Sequence, residues 1–439
     1  MDDLLRKIVG TLWRGFWLLT AVVVLRLAVP AARPDTTETG FQIAGIARDY
    51  LFDFAAWELE ALSDKTANAL VAPHHTMTDE ERTAFVRDYL LRITRIQELE
   101  GQILTIYADP AVVDPEAASM LLRQERDQLR AEQQAEQALA EAIIQSQVSE
   151  VIASYGFAVG GQLVPPVASR FTQPPTVLIV SSRERIERIG AYALDHGITV
   201  DERAVVETEV DTALGVSSLV VPIGGLAVYP AMIIETGSLP FVYEVTAHEW
   251  LHHYLAMYPL GFNYGATPEL FTLNETTASI FGKEIGWAVL DRYYPDLAPA
   301  PPDYTPQPPL EQQPSTPIQP VEPPAFDFRA EMRETRIRVD ELLAEGRVAE
   351  AEAYMEQRRQ IFVENGFNIR KLNQAYFAFY GSYADTPGAT GADPIGPMIR
   401  ELRYYSPSLA EFIVTMRSIT HVHQLEAALE QARQQAQQQ

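Results

Sequence analysis

The segment HEWLHH, residues 248–253, contains three of the chain's eight histidines. If the segment is helical, His248 and His252 lie four residues apart and share one face. Two imidazoles at this spacing can bind one tetrahedral zinc ion. Glu249 lies at the edge of the same face, where it can reach a water at the metal without binding the metal itself. The segment therefore predicts a Zn²⁺ site with Glu249 as a catalytic general base.

A third ligand would distinguish such a site from a surface helix with incidental histidines. The segment TLNETTAS, residues 272–279, reads as the start of a second helix, and its Glu275 lies 23 residues beyond His252. We predict Glu275 as the third metal ligand. Glu284, nine residues further on, would face elsewhere on that helix, and Glu269, just after a proline, is a weaker rival.

These motifs resemble the gluzincin metallopeptidases, in which HExxH is followed by a second helix whose Asn-Glu pair supplies the third zinc ligand. Asn274-Glu275 matches that pair, and Ala278-Ser279 is similar to the Asn-Glu-x-x-Ala-Ser form of zinc aminopeptidases. The interval between the motifs is a few residues longer here, and the extra length falls in the loop PLGFNYGATPE. The resemblance implies a zincin-like core and peptide hydrolysis.

A second resemblance lies in the C-terminal part of the chain. Asn373-Gln374-Ala375, followed by Ser382-Tyr383, is similar to a pattern in a bacterial family of predicted zinc aminopeptidases. With the flanking helices, the resemblance covers about residues 240–420. It implies aminopeptidase action and a substrate-binding role for Asn373.

Tyr383 has a possible catalytic role, because a phenol hydroxyl can donate a hydrogen bond to the oxyanion that forms during peptide cleavage. Tyr376 and Tyr380 compete for this role, since the three tyrosines share one helical face at spacings of four and three residues. An aromatic core stripe is the alternative interpretation.

The segment before the first motif is expected to bind the substrate. Leu226–Ile234 reads as an edge strand to which an extended peptide can add, and Pro230 fits an edge position. By the aminopeptidase resemblance, Glu235 is expected to bind the free amine of the substrate. His253 is expected to pack beside the site, and His196, His421 and His423 are expected at the surface.

The elements that must position these residues are mostly helical. Residues 40–155 read as helices, one from about Phe41 to Val71, a second starting at Thr78 and a third running from Asp114 to Gly156. Thr78 and Glu81 have the spacing of a capping box. The third helix is long enough to need packing partners in a bundle or hairpin.

The middle of the chain has a different pattern. Thr176–Ser181, Ser217–Pro222 and Leu226–Ile234 read as strands, while residues 183–196 look helical. A helical hairpin is predicted at Arg329–Asn365, with its turn at Gly346. The predicted fold class is α+β, mostly helical, with a small mixed sheet.

The predicted domain organisation has six parts. They are a membrane anchor or signal at 1–33, a helical bundle at 40–156, a zincin core at 157–294, an extended Pro-rich insertion at 295–324, a C-terminal helical part at 325–425 that completes the cleft, and a tail at 426–439.

Composition limits the partners and the location. The net charge of −25 argues against nucleic acid, because binding phosphates needs basic surface, and the absence of cysteine excludes thiol catalysis and disulfides. The apolar run GFWLLTAVVVL, residues 15–25, follows Arg6, Lys7 and Arg14. This order predicts a single-pass anchor in the cell membrane with an extracytoplasmic body, and a cleaved signal peptide is the alternative.

Three functions compete on this evidence. The first is a membrane-anchored zinc metallopeptidase acting on a peptide or protein. The second is a membrane-tethered scaffold, whose N-terminal helices bind a partner and whose zincin fold is a relic. The third is a zinc hydrolase of non-peptide substrates.

Overall fold

The computed structural model describes residues 37–69, 73–305, 326–383, 391 and 393–438. Within these ranges, no helix combines the length and apolar character needed to cross a membrane. The predicted anchor at residues 1–33 lies outside the described ranges, as does most of the predicted Pro-rich insertion.

The described chain is mostly helical, with six short strands in two sheets, which agrees with the predicted α+β class. The helices are α1 (Glu38–Ile46), α2 (Phe54–Ala69), α3 (Asp79–Ala108), α4 (Pro115–Ala118), α5 (Met120–Ile152), α6 (Val200–Leu214), α7 (Leu239–Leu255), α8 (Pro259–Phe262), α9 (Pro268–Tyr293), α10 (Phe328–Ala344), α11 (Val348–Glu364), α12 (Gln374–Tyr380), α13 (Ile395–Tyr405), α14 (Leu409–Met416) and α15 (Val422–Gln437). The strands are β1 (Ser169–Thr172), β2 (Thr176–Ser181), β3 (Arg188–Leu194), β4 (Ser217–Pro222), β5 (Gly225–Leu226) and β6 (Ala231–Ile234).

Helices α3 and α5 form an antiparallel pair. The predicted capping box is confirmed, because the Thr78 side chain accepts from the Glu81 amide and the Glu81 side chain accepts from the Thr78 amide. Ion pairs such as Arg92 with Glu136 connect the outer faces of the two helices. A short π-helical segment, Ala153–Phe157, follows α5. Its helical backbone is interrupted at Gly156, whose φ of 93° suits a residue without a side chain.

The two sheets have the strand orders β3-β2-β4 and β1-β6-β5. The first is antiparallel throughout. In the second, β1 and β6 are parallel while β5 and β6 are antiparallel. Both sheets are small. Helices α6 and α12 pack against the first sheet, and helices α5 and α7 pack against the second.

The structure corrects two sequence predictions in this region. Residues 183–196 contain β3, because pairing with β2 overrides the helical propensity of this segment. Leu226–Ile234 is not one edge strand: β5 ends at Leu226, and β6 starts after Pro230, which lacks an amide for the ladder. β6 is also the central strand of its sheet, so its two edges are already paired.

A single hydrophobic core connects the N-terminal, central and C-terminal helices. It crosses the boundaries between the parts predicted at 40–156, 157–294 and 325–425. Its buried members include Ile93 of α3, Ile144 of α5, Trp250 of α7, Phe281 of α9, Ile399 of α13 and Phe412 of α14.

Helices α7 and α9 pack at unusually close range. A Cβ atom built on Gly282 would lie 2.8 Å from the carbonyl oxygen of Glu244, and one on Gly286 would lie 2.9 Å from the Glu244 nitrogen. Because glycine has no Cβ, the two backbones can approach each other here. The crossing brings the middle of α9 against the histidine-rich end of α7.

The C-terminal part supplies the predicted helical hairpin and then α12, which packs on the β3-β2-β4 sheet. The hairpin consists of α10 and α11, and Gly346 at its turn has the expected positive φ of 74°. The Thr276 hydroxyl of α9 donates to the backbone carbonyl of Ser382, just after α12. This contact holds the residues that follow the C-terminal end of α12 beside the centre of α9.

Candidate metal centre

Helix α7 carries both histidines of the first motif on one face. The Nε2 atoms of His248 and His252 lie 3.0 Å apart. Trp250 and Leu251 are buried in the core on the other side of the helix, and the Trp250 indole donates to the carbonyl of Pro165 at 2.8 Å. Burial of that side fixes the rotation of α7 and therefore the direction of the two imidazoles.

Glu275 of α9 lies opposite the imidazoles. Its Oε2 atom is 3.5 Å from Nε2 of His248 and 3.7 Å from Nε2 of His252. The point equidistant from the three ligand atoms lies ~2.0 Å from each, which matches Zn–N and Zn–O bonds of roughly 2.0–2.2 Å. These three residues could hold a metal ion, and they form the one such group found among the described residues.

The rival acidic residues lie elsewhere. Glu284 forms a bidentate ion pair with Arg403 of α13, at 2.6 and 2.8 Å. Glu269 lies at a separate surface depression beside His421 and His423. Glu275 is therefore the acidic residue that the α7–α9 crossing brings to the histidines.

Two polar side chains orient the ligands through the His252 and Glu275 atoms that do not face the candidate ion position. The Asn274 Oδ1 atom lies 2.8 Å from Nδ1 of His252, so it accepts from a protonated Nδ1 and leaves Nε2 free for a metal. The Tyr264 hydroxyl donates to Oε1 of Glu275 at 2.6 Å, on the oxygen that does not face the imidazoles. Sequence reasoning missed Tyr264, because its loop was treated only as extra length.

The titration behaviour of the metal-free site reflects this close packing of charge. Burial raises the pKa of Glu275, but the imidazoles outweigh burial and hold that pKa well below its ordinary value. Burial lowers the pKa of His252, but Glu275 opposes it and raises that pKa to about 9. A metal ion at this site must therefore displace a proton from the imidazole–carboxylate cluster.

Glu249 lies beside the ligands and is only 6% exposed. Burial raises its pKa, and the His248 and His252 imidazoles oppose this shift only in part. The backbone of Gly225 in β5 approaches it so closely that a Cβ there would clash with its Oε1 atom. Its side chain therefore occupies a confined position between β5 and the metal ligands.

Of the three tyrosines considered for the oxyanion, Tyr383 reaches the cleft. It lines the cavity together with His248, Glu249 and Glu275. Burial and the nearby carboxylates raise the pKa of Tyr383 well above its ordinary value, so its hydroxyl stays protonated. Tyr376 and Tyr380 pack against each other with ring centroids 4.5 Å apart, and neither is among the described residues that line this cleft.

The cleft above the ligands has a volume of about 300 Å³. Strand β3 forms one wall of it, and apolar side chains form another. The apolar lining includes Phe54 of α2, Val177 and Ile179 of β2, Ile223, Leu226 of β5 and Phe379 of α12. Segments from before, within and after the central sheets thus all contribute to this cleft.

The structure does not bring the other predicted site residues to the cleft. Glu235 is ion-paired with Arg130 of α5 at 2.5 Å and also accepts from Gln133. The Asn373 side chain caps α12 by accepting from the Tyr376 amide, and it donates to the Ser218 carbonyl of β4. Both residues have structural partners, and the expected roles in substrate binding find no geometric support.

His253 packs beside the site, as expected. It is 1% exposed, and its Nε2 atom lies 2.8 Å from the carbonyl oxygen of Val228. Burial lowers the pKa of His253 to about 4, so it is neutral at physiological pH. It supports the loop between β5 and β6 and does not face the metal ligands.

Comparison of the chain with protein-family models, with curated proteins and with solved structures gives no match.

Proposed function

We propose that this protein is a zinc-dependent metallopeptidase of the gluzincin type. The observation that carries the proposal is the convergence of two Nε2 atoms and one carboxylate oxygen at distances that fit one small ion. Two imidazoles with one carboxylate form a ligand set that suits zinc better than calcium or magnesium, which prefer oxygen ligands. Three protein ligands leave one coordination position for the reaction.

The ion would be held by His248, His252 and Glu275. When bound, zinc supplies a Lewis acid that polarises the scissile carbonyl and makes water a stronger nucleophile near neutral pH. Asn274 and Tyr264 keep the ligands in orientation, because each contacts the side-chain atom of its ligand that does not face the ion.

Glu249 is the general base of the proposed reaction. It takes a proton from the attacking water and passes that proton to the leaving amine. Its raised pKa makes it a stronger base toward the attacking water. Tyr383 keeps its proton and donates a hydrogen bond to the oxyanion that forms at the scissile carbonyl.

We assign substrate backbone binding to the outer edge of β3. This strand is at the edge of its sheet, and among the described residues its outer edge is covered only at the C-terminal end, where the Phe52 amide donates to the carbonyl of Ala193. Along an edge strand, every second residue directs both its amide and its carbonyl away from the sheet. Ala193 directs its carbonyl outward to Phe52, so Ala191, two residues earlier, also directs its amide and carbonyl outward. An extended peptide can add here as a further strand.

Two parts of the proposal rest on the sequence alone. Anchoring in the cell membrane with an extracytoplasmic body rests on the apolar run at residues 15–25. Aminopeptidase action rests on the resemblance of the C-terminal part and has no acidic amine-binding group at Glu235, which pairs with Arg130. The proposal is therefore peptide hydrolysis, with aminopeptidase action as one form of it.

The test combines metal analysis with a peptide library. We expect purified protein to bind one zinc per chain and to cleave peptides, and Glu249→Gln to keep the zinc and lose at least about a hundredfold in kcat, as expected when a general base is removed. Glu209→Gln makes the same chemical change on an exposed face of α6 and should change neither property.

Three results would contradict the proposal. Protein without stoichiometric zinc would favour the scaffold. Cleavage of non-peptide substrates alone would favour a different hydrolase. Undiminished peptide cleavage by Glu249→Gln would remove the assigned mechanism.

A further inference from the structure

Arg188 is a cationic side chain in the wall of the cleft that the proposed mechanism does not use. It is the first residue of β3 and lines the same cavity as the metal ligands. Its guanidinium carbon lies 3.2 Å from the ring centroid of Phe271 in α9 and 5.6 Å from that of Tyr264. The two aromatic rings hold the planar guanidinium in one orientation.

Arg188 forms no ion pair with any carboxylate of the described residues, unlike its neighbours in the chain. Arg183 pairs with Glu352 at 2.7 Å, and Arg185 pairs with Glu187 at 2.6 Å. A guanidinium has five N–H donors; stacking on a ring uses none of them, and the Tyr264 hydroxyl engages Arg188 as a hydrogen-bond partner. The remaining donors at the edge of Arg188 therefore have capacity for a ligand that enters the cleft.

With a divalent ion bound, the charges lining the cleft favour an anionic ligand. Glu249 and Glu275 contribute two negative charges, and Arg188 contributes one positive charge. A bound divalent ion with neutral imidazoles would make the balance positive, although the whole chain carries a net charge of −25. A cavity of about 300 Å³ is at the small end for ligand sites, so a charge recognised there lies close to the scissile bond.

We propose that Arg188 binds a carboxylate of the substrate and thereby sets the specificity of the cleft. The proposal rests on the proposed peptidase function. The guanidinium can accept a carboxylate in a bidentate pair, which is both strong and directional. The carboxylate has two sources, the C-terminus of a short peptide or the side chain of an acidic residue next to the cleaved bond.

The experiment compares matched peptides that differ by one charge. Ala-Phe-Ala is offered as the free acid and as its C-terminal amide. Ala-Glu-Phe-Ala amide is offered beside Ala-Gln-Phe-Ala amide. We expect kcat/KM to favour one carboxylate member by at least about tenfold, as for a charge-assisted hydrogen bond. The first pair reports a C-terminal carboxylate and the second an acidic side chain.

Variants at position 188 connect the preference to this residue. Arg188→Met keeps apolar contact with Phe271 and should cleave the charged and uncharged members of a pair equally. Arg188→Lys keeps the charge without the bidentate geometry and should keep a smaller preference. Arg185→Gln removes an exposed arginine three residues away and should behave like wild type. Zinc content and circular dichroism show whether each variant is folded.

A binding measurement separates this proposal from the proposed function. Zinc-loaded protein is titrated by calorimetry with hippurate and with hippuramide, its uncharged amide. Tighter binding of hippurate that is lost in Arg188→Met supports carboxylate recognition even if no peptide is cleaved. Equal use of both members of each pair by wild type, or a preference that persists in Arg188→Met, overturns the proposal.

Discussion

At the candidate metal centre, Glu275 and His252 are each oriented by one side-chain hydrogen bond. The Tyr264 hydroxyl donates to one carboxylate oxygen of Glu275, and the Asn274 side-chain oxygen accepts from Nδ1 of His252. Each contact restricts a side chain that would otherwise rotate, and so reduces the entropy lost when an ion binds. The metal affinity of the site therefore depends on residues that do not touch the ion.

The first residue-scale prediction concerns Tyr264→Phe. Removing the hydroxyl frees Oε1 of Glu275 while the ring packing is kept. We expect zinc affinity to fall about tenfold to a hundredfold, as is typical when an outer contact to a ligand is lost. Competition with a chromophoric chelator measures this change. Tyr107→Phe, at an exposed position of α3, is the matched control, and an equal affinity in both variants would contradict the role of Tyr264.

The second residue-scale prediction concerns pH and His253. Its pKa is about 4 in the folded protein and about 6.5 when unfolded, so only the unfolded chain takes up a proton between these values. The effect of His253 on the free energy of unfolding is therefore constant above pH 6.5. As the pH falls from 6.5 to 4, protonation of the unfolded chain lowers the free energy of unfolding by about 3 kcal/mol in total.

Urea unfolding at pH 7 and pH 4.5, with a chelator present, measures this effect. His253→Gln cannot titrate and should lose less stability between the two pH values than wild type. The other titrating groups near the site are common to both proteins, so the difference reports His253. Parallel losses in the two proteins would show that His253 does not stay neutral in the fold.

At the scale of elements, the approach of α7 to α9 assembles the ligand set. His248 and His252 come from one helix and Glu275 from the other, and Gly282 and Gly286 allow the backbones to approach closely. Backbone atoms cannot move aside as a flexible side chain can. Any side chain at these glycines must therefore move one whole helix against the other.

The element-scale prediction is that Gly282→Ala separates the helices. The new methyl group would meet the Glu244 carbonyl at 2.8 Å and the His248 Cβ at 3.1 Å. We expect a loss of about 1–3 kcal/mol in unfolding free energy, as for other overpacked cores, and weaker zinc binding. Chemical denaturation and metal titration measure the two effects.

Gly101→Ala is the control for this prediction. Gly101 lies within α3, and a Cβ there meets nothing within 4 Å. The change should leave zinc binding intact and raise stability by about 0.5–1 kcal/mol through helix propensity. If both alanine variants bound zinc equally well, the close crossing would not be what positions Glu275.

At the scale of the whole molecule, the core does not depend on the metal centre. The same apolar cluster contains residues of α3 and α5, of α7 and α9, and of α13 to α15. The bidentate pair of Arg403 with Glu284 adds a polar tie between α13 and α9. The apolar contacts of this cluster do not include the metal ligands, so they do not require an ion.

The whole-molecule prediction is that removal of the metal lowers the melting temperature without unfolding the protein. Binding at a free zinc concentration of about 100 times Kd stabilises a fold by about 3 kcal/mol. Scanning calorimetry with and without a chelator measures the shift, and far-UV circular dichroism should stay unchanged. His248→Ala should show no shift on chelation. Complete unfolding of wild type on chelation would mean that the ion is needed for the fold.

The sequence by itself determined the features that depend on local spacing. His248 and His252 share a face because a helix has a fixed period, and Thr78 caps α3 because its hydroxyl reaches an amide three residues away. Gly346 turns the hairpin because its backbone tolerates a positive φ. Such features follow from backbone geometry over a few residues, and they were predictable without knowledge of the fold.

Only the tertiary structure decided which distant residues meet. Residues 188–194 form a strand because β2 pairs with them, against their local propensity. Tyr264 and Arg188 reach the cleft, while Glu235 is turned toward Arg130 of α5. Spacing along the chain carries no information about such partners, because they are set by how the helices and sheets bury their apolar faces against one another.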